Sequence, residues 1–164
     1  MSTVYIETTI PSYLVARRSR DLVTAAHQQI THEWWETAPD RFDLYVSQAV
    51  LDEISRGDPR YVAKRMEIIG DLNALAFTED VGFLIREYQA RLVLSGSAAT
   101  DLAHFAYSVA YNMDYLVTWN CRHIANGQVI KRLSKANHEL GRPTPVIVTP
   151  EELLSRLYEG TNDE

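Results

Sequence analysis

Short β-prone runs alternate with helical stretches along the whole chain, and this alternation constrains the fold more than any other feature. The runs fall at 4–6, 42–46, 75–77, 115–118 and 146–148. Between them lie segments with helix start and stop signals. Pro11 suits the first turn of a helix after the polar 7–9 stretch, and a long helix is predicted over 21–36, closed by Pro39. Ser47 is a plausible N-cap for a helix to Arg56, with Gly57 just past its end. Asp58-Pro59 opens a helix to about 73, and Thr78-Glu79-Asp80 opens another towards Leu94. Ser95-Gly96-Ser97 breaks the chain before a helix over 100–112. A helix follows Asn126-Gly127 and is capped by Gly141, and Thr149-Pro150-Glu151-Glu152 starts the last one.

Short strands alternating with helices make a parallel sheet covered on both faces. The expected fold is therefore α/β, three-layer α/β/α, with a central parallel sheet of four or five short strands. With 164 residues and no repeat or Pro/Gly/Ser linker, residues 1–164 read as one domain, its last few residues disordered. Ligands of such sheets bind in the crevice beyond the carboxyl ends of the strands, which directs the search for chemistry there.

Several function classes drop out. The seven glycines (57, 70, 82, 96, 127, 141, 160) are too scattered for GxGxxG, GxxxxGK[ST] or GxSxG. No two of the five histidines stand at i, i+4, and the one cysteine, Cys121, has no partner for a zinc site or an intramolecular disulfide. No apolar run is long enough to span a bilayer, and residues 1–6 lead straight into Glu7 without a secretory pattern, so the cytoplasm is expected. The net charge of −6, from 22 acids and 16 bases, speaks against a protein that coats nucleic acid. An acidic site can still meet phosphates once a divalent cation inverts its local charge.

Carboxylates remain. Glu7 ends the first strand and Asn120 follows the 115–118 strand, so both point into the expected crevice. At about 100° per residue, Glu53 lies roughly 60° from Val50, at the edge of the Val50/Leu51/Ile54 stripe, with Asp52 on the solvent side. Asp101 borders the Leu102/Phe105/Val109 stripe in the same way. Taken singly, Asp101 reads more readily as a helix-start dipole partner, Glu53 as a solvated edge acid and Asn120 as a turn residue. Glu7 has no capping duty to explain it. His123 and Trp119 read as packing or rim residues, and His27, His32, His104 and His138 as helix residues without a nameable role. Convergent hard oxygen donors are what Mg²⁺ or Mn²⁺ requires.

Four segments, VYIETTIPSYL (4–14), SQAVLDEISRG (47–57), SAATDLAHFAYSVAYNMDYLVTWNCRHIAN (97–126) and PVIVTPEELL (145–154), together resemble the PIN domain family. The likeness is strongest to VapC-like toxins of type II toxin–antitoxin pairs, and it spans essentially the whole chain. It implies a metal-dependent endoribonuclease that cleaves single-stranded RNA, with metal or catalytic roles for Glu7, Glu53, Asp101 and Asn120. It also implies that the hydroxyls of Thr9 and Thr118 support the acids or a metal-bound water from behind, and it implies a homodimer and a cognate antitoxin that covers the site. Two positions depart from the usual pattern: Glu7 stands where Asp is commoner, and Asn120 replaces an Asp, removing a charge. Both fit a subgroup with ETT and TWN signatures, and they put a two-metal site in doubt. A degenerate module that binds RNA or protein without cutting is the alternative, and a nuclease for structured DNA or precursor RNA a third reading. Arg17, Arg18, Arg20, Arg56, Arg60, Lys64 and Arg65 are the candidate RNA-facing rim, and Trp34-Trp35 with Tyr13-Leu14 are core or partner surface.

Overall fold

The computed structural model describes the backbone of residues 1–92 and 98–159; the 95–97 break and the last few residues lie outside the described residues. Five strands, β1 (Thr3–Ile6), β2 (Asp43–Ser47), β3 (Asn73–Leu75), β4 (Tyr115–Val117) and β5 (Val146–Val148), form one sheet in the order β3-β2-β1-β4-β5. Every pairing is parallel. The helices are α1 (Thr9–Val15), α2 (Leu22–Arg41), α3 (Gln48–Ile54), α4 (Pro59–Ile69), α5 (Glu79–Arg91), α6 (Ala98–Ala110), α7 (Gly127–Glu139) and α8 (Pro150–Glu159). Packing of α2 on α8 and α1 on α4 forms one group, while α5 packs on α6 and α7. The right-handed crossover rule puts these groups on opposite faces of the sheet, giving the three layers expected.

The caps explain where several helices begin. Ser47 accepts from the Val50 N–H, Thr78 from Val81 and Asn126 from Gln128 and Val129. At the start of α8 the Thr149 N–H donates to the Glu152 carboxylate at 2.7 Å, and the Glu152 N–H donates to the Thr149 carbonyl at 3.2 Å. Gly57 and Gly141 both sit at positive φ just beyond helix ends, as their positions predict. Thr78→Ala should cost about 1 kcal/mol by orphaning one helix donor, read as a lower urea midpoint with an unchanged m-value.

Several boundaries differ from expectation. Pro39 does not close α2, which continues to Arg41. Its missing N–H costs a single bond near the helix end, and burial of Trp34 and Ala38 against the core outweighs that loss. α4 stops at Ile69, and β3 then runs over Asn73–Leu75 rather than 75–77. As an edge strand with one neighbour, β3 tolerates the exposed Asn73 and Ala74, and Phe77 is itself exposed. Val4, Tyr5, Ile6, Leu116 and Val117 fill the centre of a single core cluster. Trp34 belongs to that core, with Trp35, Tyr13 and Leu14 packed at its margin.

Candidate functional site

The strand order reverses between β1 and β4, since β2 and β3 extend one way from β1 while β4 and β5 extend the other. A crevice is expected outside the carboxyl ends of those two strands. Ile6 pairs with Val117, so the next residues, Glu7 and Thr118, stand opposite each other at the mouth of the crevice. Glu7 is only 3% exposed. Three donors converge on its Oε2: the Thr9 N–H at 3.0 Å, the Thr9 hydroxyl at 2.5 Å and the Thr118 hydroxyl at 2.7 Å. They offset the cost of burying the carboxylate and leave Oε1 outside this set. Thr9 also accepts from the Trp119 N–H and Thr118 from the Asn120 N–H, so the two threonines tie the β1 and β4 turns together.

Asn120 is oriented by its partners. Its Oδ1 accepts from the His123 N–H at 3.0 Å, and its Nδ2 donates to Asp101 Oδ1 at 3.2 Å. A backbone N–H must meet an oxygen, so this bond fixes which end of the amide faces Asp101. One lone pair of the amide oxygen is thus used by the turn, a second stays open, and Asn120 meets Asp101 as a donor. The resemblance treats this position as a ligand, and the bond to Asp101 holds it beside that acid.

Asp101 sits in the first turn of α6, half-buried. Burial raises its pKa, the imidazoles of His104 and His123 lower it, and the negative charges of Glu7 and Glu53 raise it again, for a net upward shift. Three acids from β1, α3 and α6 thus share one electrostatic neighbourhood. Among the described residues, no group of three or more His, Cys, Asp or Glu side chains is gathered tightly enough to hold a metal ion as it stands. The donor set is nonetheless of the right kind: hard oxygens, mutually repelling, with Glu7 Oε1 outside the threonine bonds.

Glu53 reaches the site from the last turn of α3, its side chain 25% exposed, while Asp52 is turned to solvent and accepts from Gln48. Its Oε1 lies 2.6 Å from Nε2 of His104, which is 1% exposed. Beyond His104 lie Tyr5 and Ser47, hydrogen-bonded in series. The sequence alone gives His104 no role, and Tyr5 reads as an ordinary strand residue. The available signal was spacing: His104 is three residues after Asp101, on the same face of α6.

Around these acids the aromatic residues are structural. Trp119 stacks on His27 at 4.0 Å between centroids, lies nearly parallel to Tyr13 at 6.3 Å, and donates its indole N–H to Thr31. Of the seven cations expected at the rim, Arg65 is turned back to cap the Ile54 and Arg56 carbonyls, and Arg60 pairs with Asp58. Arg17, Arg60 and Lys64 line a cavity of about 110 Å³ with Val15 and Tyr61.

No family model matches the chain, and no curated protein matches it in sequence. Among solved structures, a chain of the crystal structure of VapBC2 from Rickettsia felis, bound to a DNA fragment from their promoter, matches 90% of this chain and 98% of its own length. The TM-score is 0.58 at 18% identity, a likeness of fold. An all-parallel five-stranded sheet between two helical layers, with acids at its switch point and a VapBC2 chain as structural neighbour, makes the fold PIN-like.

Proposed function

We propose that this chain is a metal-dependent endoribonuclease acting on single-stranded RNA, the toxin of a toxin–antitoxin pair. The observation that carries this reading is the convergence of Glu7, Glu53 and Asp101 from three elements, which leaves the Asp101 carboxyl strained upward by burial and like charge. The likeness to a VapBC2 chain and the four sequence segments support it from separate directions.

Glu7 and Asp101 would hold one Mg²⁺ or Mn²⁺, which when bound supplies an acidified water and neutralises charge on the phosphodiester. Asn120 orients Asp101, and Thr9 and Thr118 hold Glu7. Glu53 accepts the proton of the attacking water. Arg17 and Lys64 are candidate phosphate contacts. The resemblance adds a homodimer, a cytoplasmic setting and an antitoxin that covers the acids with a basic side chain. Among the described residues, no helix is long and apolar enough to cross a membrane.

The test is cleavage of a labelled single-stranded RNA with Mn²⁺, with Mg²⁺ and with EDTA, paired with thermal melting. Cutting is expected with either metal and not with EDTA. Saturating Mn²⁺ should also raise the melting temperature, since 100-fold excess over Kd contributes about 2.7 kcal/mol. A second reading, a module that binds without cutting, is favoured by the Asn120–Asp101 bond, which gives that acid an internal partner. Stabilisation by Mn²⁺ without cleavage of any RNA would select it.

A further inference from the structure

We infer that Ser47, Tyr5 and His104 form a buried brace that fixes Glu53 for proton transfer, making them positioning residues of the proposed nuclease. The inference rests on the nuclease reading given above. The Val50 N–H donates to Ser47 Oγ at 3.3 Å; Ser47 Oγ and Tyr5 Oη are 2.6 Å apart, Tyr5 Oη and His104 Nδ1 2.7 Å, and His104 Nε2 and Glu53 Oε1 2.6 Å. With His104 neutral, only one direction of donation satisfies every member. Ser47 accepts from the backbone, so its own proton goes to Tyr5. The Tyr5 proton then goes to His104 Nδ1, which leaves the Nε2–H aimed at Glu53. Reversing the chain strands the Ser47 proton inside the core, where an unpaired donor is costly.

Core packing does not require this arrangement. Tyr5 is 0% exposed at the middle of the central strand, where Phe or Ile fills the same space without a hydroxyl to satisfy. The series instead runs from the dry interior to the exposed end of Glu53. It also closes a loop through the fold. Ser47 is the N-cap of α3, and Glu53 lies in the last turn of that same helix. The connection between them passes through β1 and α6, the element that carries Asp101. Both ends of α3 are thereby referenced to the strand and the helix that present the other two acids.

With Oε1 held by His104, Glu53 has Oε2 left for chemistry. As the water oxygen forms the new P–O bond, its proton passes to Oε2, and the ribose oxygen leaves with the electron pair of the broken P–O bond and takes a proton from solvent.

The test is a double-mutant cycle. Tyr5→Phe should lower kcat about tenfold and His104→Gln about a hundredfold, each with KM within about twofold. In a Glu53→Gln background, neither should cause a further loss, because both act through that carboxylate. Equal losses in the two backgrounds, or losses in KM alone, would overturn the brace. NMR of the full chain provides a second readout. A slowly exchanging imidazole N–H of His104 is expected, shifted by Glu53→Gln and exchanging faster in Tyr5→Phe. Its absence, or its indifference to both substitutions, would overturn the brace as well. Absence of cleavage by the wild type removes the nuclease reading instead, and the NMR experiment still decides the hydrogen-bonded chain.

Discussion

Asp101→Asn should abolish metal-dependent RNA cleavage and at the same time make the metal-free protein harder to melt. The first effect is expected to reach about a thousandfold in kcat/KM, about 4 kcal/mol of transition-state stabilisation. The second follows from linkage. Burial and the charges of Glu7 and Glu53 raise the folded-state pKa of Asp101 above its unfolded value. The folded chain then binds this proton more tightly than the unfolded chain, so the group penalises folding at every pH above its raised pKa. The penalty fades as pH falls through the folded value towards the ordinary carboxylate range. Asparagine removes it at neutral pH. Melting in EDTA should show a higher midpoint for the variant, and Mn²⁺ should then shift it far less than it shifts the wild type. A variant that melts lower in EDTA would mean that Asp101 is a structural acid held by Asn120.

Asn120→Asp should do the reverse. It exchanges the Nδ2 donor 3.2 Å from Asp101 for a second carboxylate, while Oδ1 can still accept from the His123 N–H. Losing a hydrogen bond and adding a like charge at a half-buried site should destabilise the metal-free protein by about 2 kcal/mol. The added charge should tighten Mn²⁺ binding about tenfold, measured by titration calorimetry, and enlarge the melting shift on metal addition. Unchanged affinity would show that position 120 lies outside the reach of the cation and that its role ends with the turn.

The fold was legible because its signals are local. Caps such as Ser47, Thr78 and Asn126 and the post-helix glycines 57 and 141 mark their elements without help from tertiary structure. Errors arose where packing overruled the local rule. Pro39 stays helical because its neighbours Trp34 and Ala38 are buried, and β3 begins at Asn73 because β2 sets its register. The position of Glu7 at the crevice follows from strand order, and that of Glu53 and Asp101 from helical spacing. The series behind Glu53 joins residues 42 and 99 positions apart, through ring nitrogens and hydroxyls that fit a core as readily as a site, and no one-dimensional pattern announces it. The same holds for Asn120: the chain reveals the missing charge, and only the turn around His123 reveals which end of the amide faces Asp101.

The order β3-β2-β1-β4-β5 seats the fourth strand beside the first, and the bond from Thr118 to Glu7 spans 111 residues. During synthesis, an emerging chain that has completed only its first three strands carries Glu7 and Glu53 but lacks the helix with Asp101 and the turn with Asn120. Such a fragment has no assembled acid cluster, however well its amino-terminal half is packed. The chemistry proposed for this protein is thus withheld until the chain through Asn120 has left the ribosome, a delay imposed by connectivity alone.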